Sequence, residues 1–270
     1  MTSEIVLDKS FLQGARTSQI QELAAAHRLV VSDALFYELL TAPEPGRTRC
    51  FAKFPPTENP VDLVNHIGTL MRIEIDTHSP CGKPSEHREK LRFQFNPRLV
   101  SADYVLPEQA RVAVEDQTTQ IQSDVAGFLE QVALVPTFFP NLLTGSTAEQ
   151  KLAHAEAEGA LAEPGALIAF YSGLEPPPGQ KPLPPPHLVS EQWAVYRWLQ
   201  VKLLFALDVY VRCRGVLPET LSPSTYERME HDVLDAQVFM LGCLEGAFAT
   251  REKKLKRWWS LLCRDATLYE

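Results

Sequence analysis

Two strand-length apolar runs stand near the front of the chain: EIVLD, from Glu4 to Asp8, and RLVVS, from Arg28 to Ser32. Between them SFLQGARTSQIQELAAAH reads as one helix, with Leu12, Ile20 and Leu23 among its apolar positions. A strand, a helix of that length and a second strand form the pattern of a parallel βαβ unit. The helix SDALFYELL comes next, with Ser32 or Asp33 as its cap, Leu35, Phe36 and Leu39 facing inward and Glu38 on its second turn. Near the other end, GAFAT (Gly246 to Thr250) is a third strand candidate, and REKKLKRWWSLL reads as a last helix.

The regular pattern stops at Pro43-Glu-Pro-Gly46. Beyond it lie the apolar-rich stretch PVDLVNHIGTLMRIEI and KLRFQF (Lys90 to Phe95), whose alternation suits a strand. LPEQARVAVEDQTTQIQSDVAGFLEQVAL reads as a long amphipathic helix, and STAEQKLAHAEAEGAL as an Ala/Glu helix capped by Ser146. Glu175 to Pro186 holds seven of the chain's 21 prolines, which excludes helix and predicts a stiff polyproline-type linker. The helix after it, in SEQWAVYRWLQVKLLFALDVYVRCRG, is apolar on most sides and so expected to be buried. The next helix is announced by Ser222-Pro223-Ser224, with Ser224 and Glu227 at capping-box spacing, and carries Asp232 and Asp235. The expected organisation is a discontinuous α/β domain, residues 1–44 and 190–270, split by a mostly helical insertion or lid, 45–189, that ends in the Pro-rich linker.

At 45% hydrophobic and 22% charged residues, the composition is that of a soluble globular protein. A net charge of −8 excludes a surface dedicated to DNA; nucleic-acid contact would need a local basic patch. The opening MTSEIVLDKSF lacks a basic flank before an apolar run, so no secretory leader is expected, and no apolar run is long enough for a membrane span. Five scattered cysteines without a C-x-x-C pair predict reduced thiols and a cytoplasmic location. His78, Cys81 and His87 fall one ligand short of a zinc site, and G-x-S-x-G, Walker and G-x-G-x-x-G motifs are absent.

In a parallel sheet the ends of EIVLD, RLVVS and GAFAT point to one edge, where open α/β sheets place ligands. That edge would gather Asp8, Glu38 and Glu252, and the i, i+3 pair Asp232 and Asp235 if its helix face looks the same way. Such carboxylates repel one another and need a counter-charge. With no matching set of lysines or arginines within these segments, Mg²⁺ or Mn²⁺ is the natural choice, and such an ion promotes phosphodiester hydrolysis. Each acid also has a plain structural reading. Asp8 would cap the following helix, Glu38 would face solvent, Asp232 and Asp235 would answer the helix dipole, and Glu252 would pair with Lys256. Asp208, a further candidate, is better read as the partner of Arg212.

LDKSFL, SDALFYELL, HDVLDAQV and ATREKKLK, in that order, resemble the four acidic motifs of the PIN-domain nucleases. Asp8 with Ser10 matches the first motif, Glu38 the second, Asp235 (with Asp232 beside it) the third, and Thr250-Arg251-Glu252 the fourth. Glu252 stands where the family has Asp, and 45–189 has no counterpart in the minimal domain. The resemblance implies a PIN-like three-layer α/β fold with a short parallel sheet and a divalent-metal-dependent endoribonuclease, in a toxin or defence setting among others. On that reading Asp8, Glu38, Asp235 and Glu252 hold Mg²⁺ or Mn²⁺, and Asp232 completes the catalytic set. Ser10, Thr250 and the basic Lys253, Lys254 and Lys256 bind the RNA. An inhibitory protein partner or a homodimer fits the same reading, and membrane association does not. The competing expectation is a catalytically inactive PIN-like module that binds or regulates through its insertion.

Overall fold

The computed structural model describes residues 3–57, 59–88, 97–176, 179–216 and 222–270. The chain divides into two compact units. One is Met1–Leu70, Cys81–Gln117 and Gln237–Glu270; the other is Met71–Pro80 and Thr118–Ala236.

The first unit is built on five strands: β1 (Glu4–Leu7), β2 (Arg28–Ser32), β3 (Asp62–Val64), β4 (Ala247–Ala249) and β5 (Thr267–Tyr269). They form one sheet in the order β3-β2-β1-β4-β5, and every pairing within it is parallel. The α/β expectation is met, with strand pairing Val6↔Val30 on one side of β1 and Val6↔Phe248 on the other. Ile5, Val6, Leu7, Leu29, Val30 and Phe248 are fully or almost fully buried. Such continuous apolar runs suit a parallel sheet covered on both faces, each side chain contributing about 1.5–3 kcal/mol on burial.

The expected single helix after β1 is two: α1 (Lys9–Gly14) and α2 (Thr17–Ala26), separated by the extended residues Ala15 and Arg16. Arg251 accounts for the closeness of the break. Its guanidinium donates to the Gly14 carbonyl at 2.6 Å and lies so near that a Cβ at Gly14 would meet its Cδ at 2.8 Å. In α3 (Asp33–Thr41) Ser32 is the cap, its hydroxyl accepting the Leu35 N–H at 2.9 Å. A short α4 (Gly46–Phe51) follows; then β3 and α5 (Ile67–Thr77) divide the stretch that had looked merely apolar. KLRFQF lies outside the described residues.

The long helix α6 (Glu108–Phe138) and the Ala/Glu helix α7 (Thr147–Ala162) form where the pattern places them, and Ser146 and Glu149 make a reciprocal cap on α7. In the second unit α7, α8 (Pro164–Ser172) and α9 (Ala194–Arg212) pack on one another. Helix α9 is buried on most sides, as its composition requires. It has no cap of its own. Instead the buried Glu74 carboxylate accepts the N–H groups of Ala194 at 2.6 Å and Val195 at 2.9 Å. After α8, Pro184 is buried and its carbonyl accepts the Tyr171 hydroxyl at 2.9 Å, while Lys181 pairs with Asp76 at 2.7 Å.

Helix α10 (Pro223–Glu245) is capped two residues earlier than the Ser224–Glu227 spacing suggests, by Ser222, whose hydroxyl accepts the Thr225 N–H at 3.2 Å. It ends at Gly246, whose φ of 82° gives the left-handed turn into β4. In the first unit, Phe239 of α10, Phe248 of β4 and Trp259 of α11 (Lys253–Leu262) pack ring on ring, with Phe248 and Trp259 stacked at 5.5 Å.

Candidate functional site

The strand order reverses direction at β1. β2 and β3 extend the sheet to one side, and β4 and β5 to the other. The carboxyl edge at such a switch point is where an open parallel sheet leaves a crevice, because successive crossovers depart to opposite sides. Asp8 follows β1 there, and Thr250 follows β4. Thr250 Oγ1 donates to Asp8 Oδ2 at 2.7 Å, and the Ser10 hydroxyl donates to the same oxygen. The two hydroxyls lie 3.1 Å apart. Two backbone groups complete the cluster: the Arg251 N–H reaches Ser10 Oγ at 3.0 Å, and the Glu252 N–H reaches Thr250 Oγ1 at 3.1 Å.

Asp8 is buried and stands at the N-cap position of α1, where its side chain makes no capping bond to the N2 or N3 amide. Burial pushes its carboxyl above the usual range, Ser10 and Thr250 pull it back, and the negative charge of Glu38 pushes the same way as burial. Glu38 is buried too, not solvent-facing, and it accepts from Lys9 Nζ at 3.0 Å. Asp8, Glu38, Ser10 and Thr250 thus form one neighbourhood in the first unit. Glu252 caps the start of α11 by position, and its carboxylate lies 3.7 Å from Lys254, not on Lys256, which pairs with Glu270 at 3.1 Å.

Asp232 and Asp235 belong to the second unit. Asp232 is buried and bonded to Arg212, which also lies 3.7 Å from Asp208. Asp235 is half-buried on α10. Lys253 is exposed, and Lys254 stands 5.5 Å over the ring of Trp258; both Trp258 and Trp259 are core residues.

The counter-charge argument from sequence needs correcting. Lys9, Lys254 and Arg212 answer Glu38, Glu252 and Asp232, so the protein itself supplies part of the neutralising charge. Lys9 and Arg251 are the participants that motif reading passed over. Lys9 adjoins Asp8 in LDKS and, as the first residue of α1, has a stem long enough to cross to α3. Among the described residues, no group of three or more His, Cys, Asp or Glu side chains is placed to hold a metal ion. Two carboxylates remain a workable set for Mg²⁺, which keeps several waters and is commonly bound through one or two carboxylates. Among the described residues no helix is long and apolar enough to cross a membrane. No family model, curated protein or solved structure matches the chain.

Proposed function

We propose that the chain is a PIN-like, divalent-metal-dependent phosphodiesterase that cleaves RNA. The observation that carries the reading is the pair of buried carboxylates, Asp8 and Glu38, beside the Ser10–Thr250 hydroxyls at the switch point of the sheet. Asp8 and Glu38 would hold Mg²⁺ or Mn²⁺, with Glu252 at the margin. When bound, such an ion lowers the pKa of water and stabilises charge on a phosphodiester in in-line displacement. The chain's own groups have separate tasks. Ser10 and Thr250 fix the Asp8 carboxylate by bonding its Oδ2. Lys9 balances Glu38, and the exposed Lys253 at the start of α11 would contact backbone phosphate.

The test is cleavage of labelled single-stranded RNA, with DNA in parallel, by wild type, Asp8→Asn, Glu38→Gln and Asp235→Asn. Mg²⁺ or Mn²⁺ should support cleavage and a chelator should stop it. Asp8→Asn should lose at least about a hundredfold in rate with an unchanged circular dichroism spectrum, a loss typical for one group in an electrostatic site. Cleavage that survives the chelator or Asp8→Asn refutes the reading. The second reading, a non-catalytic module, is favoured by Lys9 lying 3.0 Å from Glu38. It requires that calorimetric titration with Mn²⁺ show no site of millimolar affinity or better, roughly 4 kcal/mol.

A further inference from the structure

Away from the carboxylates, within the second unit, α9 places Trp198 and Lys202 one turn apart, with the Lys202 amine 5.3 Å from the indole centroid. Both side chains line a cavity of about 130 Å³. Phe128 from α6, and Val233 and Ala236 from α10, close its apolar walls, and Ser123 and Asp124 supply the other polar groups. Among the described residues Lys202 forms no ion pair. Asp124 lies near enough to influence its charge, and its carboxylate accepts the Gln120 amide at 2.9 Å. A long cationic side chain ordinarily carries its head into water. Here the head stays against an indole at the wall of a cavity.

We infer that Lys202 is a nucleophilic amine that forms an imine with a small apolar aldehyde or ketone bound in this cavity. Three features converge on that chemistry. The cavity is close in size to the roughly 150 Å³ that accommodates a benzene ring, so it can take the ring of a compound such as benzaldehyde. Its walls are aromatic and aliphatic, which selects an apolar body. The amine is the strongest nucleophile among the groups lining it, Ser123 offering only a hydroxyl. Burial pushes Lys202 down from the ordinary lysine range, with Asp124 and Glu130 pushing back. That direction favours the neutral amine with its lone pair, the form that attacks carbonyls.

The step balances without an external oxidant or reductant. The nitrogen lone pair adds to the carbonyl carbon, and an N–H proton passes to the carbonyl oxygen to give a carbinolamine. Loss of the second N–H proton and departure of the hydroxyl as water leave the C=N bond. Amine and carbonyl are consumed; imine and one water are formed. Asp124, on the same cavity wall, is the group placed to accept and return the proton.

The experiment traps the imine. The full-length protein is incubated with benzaldehyde and sodium cyanoborohydride at pH 7, and benzylated lysines are mapped by peptide mass spectrometry. Lys202 should label several-fold faster than the exposed, ion-paired Lys181, because burial favours its neutral form. Lys202→Arg, which keeps the charge and the stem, should remove the fast site and leave the other lysines unchanged. Labelling of Lys202 no faster than Lys181 overturns the inference. So does fast labelling at another lysine that persists in Lys202→Arg. Neither result depends on the nuclease reading.

Discussion

Thr250→Val is the sharpest probe of the Asp8 cluster, because it removes one oxygen and little else. Thr250 is fully buried. Its hydroxyl donates to Asp8 Oδ2 at 2.7 Å and accepts the Glu252 N–H at 3.1 Å. Valine keeps the volume and the β-branched shape that a strand end favours, so no cavity forms. A hydrogen bond to a charged acceptor is worth about 1.5–3 kcal/mol. The Glu252 amide belongs to a half-exposed residue and can turn to water, so its loss adds little. The expected cost is therefore ~2–3 kcal/mol. Thr250→Ser keeps both hydrogen bonds and deletes one methyl, for about 1 kcal/mol.

The ranking is the diagnostic. An apolar site would prefer valine to serine; this site should prefer serine. Urea unfolding at neutral pH, with equal slopes for the three proteins, measures both values. A double-mutant cycle with Asp8→Asn should return a coupling above about 1 kcal/mol, since the two side chains touch. The reasoning fails if valine falls within about 0.5 kcal/mol of wild type, the scatter of an uninvolved substitution. It also fails if the two changes simply add.

Three other outcomes follow from named contacts. Burial raises the Glu245 carboxyl, against the pull of its bonds from the Ser85 amide and hydroxyl, so the folded chain holds that proton more tightly than the unfolded chain. Glu245 therefore costs stability as pH rises from its ordinary value of 4.5 through the folded value, and the cost is constant above. Glu245→Gln should gain on wild type between pH 4 and pH 7 in urea midpoints, and a constant difference would contradict this. Glu74→Ala strips the start of α9 of the acceptor for two buried N–H groups and should destabilise by about 3 kcal/mol, whereas Glu74→Gln should cost about half as much; equal costs would remove the capping argument. Lys9→Met leaves the Glu38 carboxylate without its cation and should cost ~1–2 kcal/mol, discounted because Lys9 is partly exposed. If the proposed metal site exists, Mn²⁺ should raise the melting temperature of Lys9→Met more than that of wild type; an equal rise shows that Lys9 does not compete with the ion.

What could be read from the sequence divides along the range of the interactions concerned. β1, β2, β4, α3 and α7 follow local rules, namely apolar runs of strand length and caps such as Ser32 and Ser146. The misread positions depend on distant partners. The break between α1 and α2 involves Arg251, more than two hundred residues away, donating to the Gly14 carbonyl. β5 is a strand of three residues, half-exposed at best, that exists because β4 offers it an edge. The start of α9 rests on Glu74, which no local capping rule would find. Asp8 obeys the same logic. Its strand-end position was legible, but the hydroxyl that holds it comes from Thr250, and the cation near it comes from Lys9 reaching across to α3.

That last contact bears on the chemistry more than on the fold. Two buried acids beside each other must be neutralised by a proton, a metal or a protein cation. Here burial and Glu38 favour the proton on Asp8, while Lys9 takes part of the charge on Glu38. A divalent ion entering this site must therefore compete with any proton on the raised Asp8 carboxyl and with an ammonium. Metal affinity should then rise with pH and rise again when Lys9 is removed. A protein cation at the acids is thus compatible with a catalytic site whose metal binds only when conditions favour it. It is equally compatible with a site that has given up its metal. The two differ in one measurable respect: in the first case Lys9→Met binds Mn²⁺ more tightly than wild type, and in the second neither protein binds it.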